Sequence, residues 1–194
     1  MSWEKHNRGS VLSRMIKKIA RKIYGTILYR ISPVKYARKI GVSVGENCRF
    51  IGKVSFGSEP YLVSIGNHVC LAGKGTIFIT HEGAHWVLKG MDEKYNDTFG
   101  YGRITIKDNV FIGSGTTILR GVTIEENVIV GACSLVNKSL PANGVYAGVP
   151  AKYICSVEEW KEKFLADMPE YDKENYRKNK KQEVLKIMDQ GRAR

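Results

Sequence analysis

An all-β core folded as a parallel β-helix is predicted by two observations, a six-residue beat of aliphatic residues and a matching beat of small ones. Ile106, Ile112, Ile118, Ile124, Val130 and Val136 recur every six residues without a slip. An earlier block reads Val44, Phe50 and Phe56, shifts by three residues, and resumes as Ile65, Leu71 and Ile77. The residue four after the aliphatic is usually small or β-branched, as at Val54, Val69, Gly75, Thr116, Val122, Val128 and Ser134. An α-helix would need spacings of three and four, and a half-buried strand an alternation of two. A beat of six, with corners such as Gly66-Asn67 and Asp108-Asn109, fits short flat strands joined by tight turns. Stacked coils of this kind bury their aliphatics in one internal column, and each coil needs neighbours to cover its edges.

The pattern occupies residues 42–155. It is broken once, after Ile77, because the next aliphatic of the strict repeat is Ile106. His81, in "ITHEGAHW", falls where the beat asks for a small residue, so its side chain must strain the corner or point outward. The excursion that follows, residues 83–103, carries His85, Trp86, Asp92, Tyr95 and Tyr101, and long loops leaving a rigid repeat are often functional.

Two extensions flank the coil. Residues 1–41 hold eleven Lys/Arg and one acid, a charge of +10 out of the chain's +12. Within them Val11, Leu12, Met15, Ile16, Ile19, Ala20, Ile23, Tyr24, Ile27 and Leu28 alternate with Lys17, Lys18, Arg21 and Lys22, the pattern of a basic amphipathic helix ended by Ser32-Pro33. Gly25 is its weak point. Residues 11–31 fit either peripheral contact with an anionic membrane surface or a cap on the first coil. Residues 156–194 read as a helical extension, with Trp160, Phe164 and Leu165 as packing residues and a charged, frayed stretch around "YDKENYRKNKKQE".

Composition narrows the function classes. The uneven charge speaks against a nucleic-acid surface across the whole protein. No apolar run approaches the ~18 residues needed to cross a bilayer, and no signal-peptide pattern is present. Cys48, Cys70, Cys133 and Cys155 form no CxxC pair or disulfide framework, which fits a cytoplasmic protein. His68, His81 and His85, separated by 13 and 4, have no zinc-site spacing, and no metal is expected.

The repeat, with "VGACSLVNKSLPANGVYAGVPAKYI" at its close, resembles the left-handed β-helix hexapeptide acyltransferases. The region "SFGSEPYLVSIGNHV" with "ITHEGAHWVLKG" is similar to O-acetyltransferases of sugars and capsular polysaccharides. The resemblance implies left-handed crossovers, an exception to the usual right-handed rule. It also implies a homotrimer with sites between subunits, and acetyl-CoA as acyl donor. Thr80-His81 matches the histidine that precedes a projecting loop in O-acetyltransferases of this family. A neutral imidazole there can take the proton of an attacking sugar hydroxyl, with direct transfer from the thioester. Glu82 or a backbone carbonyl is the expected partner fixing its tautomer.

Ser114 and Ala132, eighteen residues apart, should stack on successive rungs, and the resemblance puts such a pair along the pantetheine slot. Asn137 and Lys138 match a Thr-Lys position near the donor, and Lys152 in "GVPAK" matches a basic residue that meets the nucleotide phosphates. A second basic residue found in many relatives is replaced by Cys155. On the acceptor side Glu59 is a candidate for hydroxyl recognition, Tyr61 and Trp86 for stacking, and His85 for a further contact. Two other functions compete with sugar O-acetylation: N-acylation of an amino sugar, a nucleotide-linked one included, and a non-catalytic β-helix scaffold assembled through the basic helix.

Overall fold

A computed structural model describes residues 3–73 and 75–189. The side chains of residues 3–14, 21 and 22 lie outside the description, and with them Val11, Leu12, Arg21 and Lys22 of the amphipathic pattern. The chain divides into two compact units, Met1–Ile154 and Cys155–Arg194, and the basic extension belongs to the first.

Each turn of the coil contributes three strands. The first is β1 (Ser43–Val44), β2 (Arg49–Phe50) and β3 (Val54–Ser55). The second is β4 (Val63–Ile65), β5 (Cys70–Leu71) and β6 (Thr76–Ile79). Next come β7 (Ile104–Ile106), β8 (Phe111–Ile112) and β9 (Thr117–Leu119), then β10 (Thr123–Ile124), β11 (Ile129–Val130) and β12 (Leu135–Val136). The coil closes with β13 (Gly144–Ala147) and β14 (Lys152–Ser156). Strands of successive turns pair in parallel, giving three faces ordered β1-β4-β7-β10, β2-β5-β8-β11-β13-β14 and β3-β6-β9-β12.

The register measures the repeat directly. Ile106 pairs Ile124, Ile112 pairs Val130 and Ile118 pairs Val136, a step of 18, or three hexapeptides. The step from Val44 to Ile65 is 21, which carries the three-residue shift, and the step from Ile65 to Ile106 is 41, which carries the excursion. Small residues fill the corners: Val54, Val69, Val110, Thr116, Val122, Val128 and Ser134 are all buried beside the aliphatic column.

One element of the expected frame is displaced. Ile77 is not the inward residue of β6; it is 40% exposed, and Phe78 is 0% exposed in its place. Seven residues separate Leu71 from Phe78, where six separate Ile112 from Ile118. The extra residue is taken up in a turn where Gly73 and Gly75 adopt φ of +71° and +92°, conformations that cost a side chain 1–2 kcal/mol or more. Phe78 stacks on Phe56 with ring centroids 5.1 Å apart, and this aromatic pair outweighs the regular beat.

Six α-helices accompany the coil among the described residues, so the all-β description holds for the coil alone. Helix α1 (Trp3–Ile31) runs unbroken through Gly25 and stops at Ser32, since Pro33 disfavours helical geometry in the residue before it. Helix α2 (Pro33–Lys39) covers the open end of the first turn, where Ala37 is buried. Arg38 donates from Nε to the Val44 carbonyl at 3.0 Å and from Nη2 to the Gly45 carbonyl at 2.5 Å. Capping of the coil, one of the two readings of residues 11–31, is done by the shorter helix that follows. A strand edge covered in this way cannot recruit another strand.

One corner carries an asparagine ladder. His68, Asn109, Asn127 and Asn143 all have φ of 53–60°. His68 Nδ1 lies 2.8 Å from Asn109 Oδ1, Asn109 donates to Asn127 at 2.7 Å, and Asn127 to Asn143 at 3.0 Å.

In the second unit, helix α4 (Val157–Ala166) starts with a capping box in which the Ser156 hydroxyl accepts from Glu159 N and the Glu159 carboxylate accepts from Ser156 N. The charged stretch expected to fray forms helix α5 (Lys173–Lys178), capped by Asp172, and leads into α6 (Lys180–Asp189). Glu183 is buried there, accepting from Asp172 N at 2.9 Å and Asn175 Nδ2 at 2.7 Å.

Candidate active site

Strand β6 delivers Thr80 and His81 to the corner where the excursion begins. Phe56 faces Phe78 in the register of β3 and β6, so Glu59 on the turn before β4 stands one rung from His81. The three-residue shift forms this turn, which bulges outward through Pro60–Leu62. Gly57, with φ of +68°, begins the bulge, and a Cβ there would press on Thr80 Oγ1 at 3.2 Å.

Glu59 Oε2 accepts a hydrogen bond from Thr80 Oγ1 at 2.6 Å and lies 3.0 Å from His81 Nδ1. The Glu59 side chain is 14% exposed and that of His81 is 43% exposed. The Thr80 hydroxyl first, and the His81 ring second, hold the Glu59 carboxyl below the usual glutamate range. An ionised carboxylate only accepts, so the hydrogen sits on Nδ1 and the lone pair on Nε2. That tautomer is the one a general base needs.

The loop is tied shut beside this pair. Glu82 N donates to the Gly100 carbonyl at 2.7 Å and Gly102 N to the Thr80 carbonyl at 2.9 Å. His81 and Tyr101 form an antiparallel bridge, with ring centroids 6.4 Å apart. Glu82, expected as the orienting residue, is turned away. Its Oε1 accepts from Ala84 N at 2.9 Å and its Oε2 lies 3.8 Å from Arg120 Nη2. No backbone carbonyl replaces it, because Glu59 occupies Nδ1. His85, on the short helix α3 (His85–Met91), is engaged by the Glu82 carbonyl at 2.6 Å, and Trp86 beside it is 79% exposed. Tyr61 is exposed on the Glu59 turn. Each of the three histidines named in the sequence has its own partner, and among the described residues no three His, Cys, Asp or Glu side chains gather as a metal site.

The remaining residues fall on two corners. Ser114 and Ala132 stack on adjacent rungs, with Cys133 N donating to the Ser114 carbonyl at 2.7 Å. A Cβ on Gly113 would strike Ala132 N, so small residues let these rungs close up. Asn137 and Lys138 follow β12 on the face that carries β6, two strands from Thr80-His81, about 10 Å at the usual spacing. Arg120 follows the strand between. Lys152 opens β14. Lys138 and Lys152 are exposed, and no ion pair among the described residues engages either.

The orienting role of Glu59 was not recognised from sequence, although a signal existed: Glu59 and His81 each stand three residues after a phenylalanine, Phe56 and Phe78. Arg120, on the coil just after β9, and Tyr101, on the returning loop, carried no comparable signal, because their contacts with Glu82 and His81 form only once the loop has folded back.

Comparison with known proteins identifies the family of the chain. The family model "Bacterial transferase hexapeptide (six repeats)" matches residues 103–138. Protein CapG of Staphylococcus aureus is 42% identical over 162 residues, 82% of this chain and 92% of that protein. The galactoside O-acetyltransferase of Escherichia coli K12 is 39% identical over 101 residues, 52% of this chain and 47% of that enzyme. Among solved structures, a maltose O-acetyltransferase from Clostridium difficile 630 matches with a TM-score of 0.49 at 24% identity, covering 71% of this chain and 87% of that one. The chain belongs to the hexapeptide-repeat acyltransferase family. It is an acyltransferase.

Proposed function

We propose that the enzyme transfers an acetyl group from acetyl-CoA to a hydroxyl of a sugar or surface-polysaccharide precursor, with His81 as general base and Glu59 as its orienting partner. The observation that carries this reading is the 3.0 Å contact between His81 Nδ1 and a largely buried carboxylate. A sugar hydroxyl is a poor nucleophile at neutral pH and needs its proton removed as it attacks. Nε2 takes that proton, the hydroxyl oxygen bonds to the thioester carbon, and the carbon–sulfur bond breaks. The departing thiolate receives the proton from the imidazolium, so His81 is regenerated without a covalent intermediate on the enzyme.

Acetyl-CoA is a substrate here. The stacked Ser114 and Ala132 offer a surface of small side chains against which a flat pantetheine arm fits. Asn137 and Lys138 stand near the thioester end and Lys152 meets the nucleotide phosphates, and both lysines are exposed with no carboxylate paired to them. The acting form is a homotrimer in the cytoplasm, with Tyr61, His85 and Trp86 facing the acceptor.

Titration calorimetry with acetyl-CoA and with dephospho-coenzyme A tests the donor half without knowledge of the acceptor. Micromolar binding that weakens without the 3′-phosphate, or in Lys152→Ala, is the expected result. A folded enzyme with no detectable heat would sink the reading. Should an amino sugar be the acceptor, His81→Ala would slow transfer only modestly, because a free amine needs less help from a base.

A further inference from the structure

Among the described residues, helix α1 is held from one side. Tyr29 Oη donates to the Gly52 carbonyl at 2.6 Å and accepts from Val54 N at 3.0 Å, which anchors the helix to the coil. Gly25, one turn earlier on the same side, passes Tyr36 of α2, where even a Cβ would stand 3.7 Å from the ring. Residues two apart on a helix lie about 200° round from each other. Ile23 and Ile27 are therefore turned away from the coil, and Ile16 and Ile19 continue their row at spacings of three and four. All four are at least half exposed, as are Met15 and Tyr24 at the margins of the row. The stripe is uncovered over several turns.

Its charge setting is lopsided. Lys17 is exposed at the margin of the stripe and Arg30 closes its C-terminal end. The whole segment 1–41 carries +10, whereas the other 153 residues carry +2. A second copy of the chain brought against this face would bring the same +10 with it, and like charges at close range repel. An anionic bilayer is the complementary surface: headgroups meet Lys17 and Arg30, and the isoleucines enter the acyl boundary. Among the described residues no helix is long and apolar enough to cross a membrane, so the contact is with the surface.

We propose that α1 is a membrane-surface anchor, lying flat on an anionic lipid bilayer through Ile16, Ile19, Ile23 and Ile27. The inference does not depend on the transfer chemistry. It would keep the coil against a membrane that carries lipid-linked acceptors.

Vesicle co-sedimentation of the full chain tests it, with phosphatidylglycerol-containing vesicles against phosphatidylcholine alone. The wild type is expected to sediment with the anionic vesicles, and less so as salt rises. Ile19→Asp/Ile23→Asp should abolish sedimentation with circular dichroism unchanged, since both side chains are exposed. Lys17→Glu/Arg30→Glu should weaken partition on the order of tenfold or more. A wild type that stays in the supernatant with both vesicles overturns the proposal, and so does a double aspartate variant that sediments as well as wild type. Loss of oligomeric state in that variant on gel filtration would assign the stripe to a neighbouring copy and overturn it equally.

Discussion

Glu59 and His81 occupy one position on consecutive rungs, each three residues past a member of the stacked pair Phe56 and Phe78. The core therefore sets the distance between carboxylate and imidazole. Rung spacing fixes the 3.0 Å contact, and the buried Thr80 hydroxyl fixes which carboxylate oxygen makes it. A pair built this way needs no flexible loop to bring its carboxylate and imidazole together.

Removing the imidazole tests the base. His81→Ala should lower kcat by about 10²–10⁴ with the donor KM little changed. Glu59→Gln keeps the side chain's size but lets an amide face Nδ1, which no longer selects the reactive tautomer. Its kcat should fall on the order of tenfold or more, with a changed pH–rate profile. Full activity in Glu59→Gln would remove the carboxylate from the mechanism.

The frame of the second turn can be checked by paired truncations. Phe78→Ala should cost about 3–5 kcal/mol, since a fully buried ring is lost and its neighbours relax only partly. Ile77→Ala should cost under about 1 kcal/mol, as expected of a partly exposed site. Denaturant melts with equal m-values would give both numbers, and the reverse order would restore Ile77 to the column.

Thr76 is fully buried, and its hydroxyl has no hydrogen-bond partner among the described residues. Thr76→Val retains the shape and removes the unpaired oxygen. Stability should rise by about 1 kcal/mol, a gain of roughly 2–4 °C in Tm for a chain of this size. A lower Tm would mean that the hydroxyl is satisfied in solution.

Acid should loosen the second unit through Glu183. The Asp172 backbone N–H first, and the Asn175 amide second, favour its charged form, so its pKa is lower folded than unfolded. A depressed pKa contributes stability in full above the unfolded value, about 4.3, and loses it as pH falls through the folded value. Hydrogen exchange over residues 172–187, corrected for intrinsic rates, should lose protection below about pH 4.3. Glu183→Gln should flatten that dependence.

The coil was legible from sequence because its beat is local: one aliphatic every six residues needs no knowledge of distant partners. The displaced Phe78 was harder, because a single extra residue in a glycine turn leaves the aliphatic spelling at Ile77 intact while rotating it outward. Among the candidate residues, His81 stood out because it broke the beat as framed on Ile77, a frame that Phe78 displaces by one residue. Glu59 was visible as a residue but not as a partner, since its pairing depends on a register that the three-residue shift conceals. The helix cap at Ser156 and the burial of Glu183 show the limit in another way. A charged stretch looks solvated until a backbone N–H and an amide are known to meet its carboxylate.

The asparagine ladder has a direction. Every bond in it donates toward the C-terminal end of the coil, from His68 through Asn109 and Asn127 to Asn143. The first member gives a hydrogen from Nδ1, and Asn109 and Asn127 each accept one and donate one. Removing one member therefore leaves its neighbours on the adjoining rungs short of a partner. The faces of the coil are held rung to rung by backbone pairs, and this corner is held the same way by side chains.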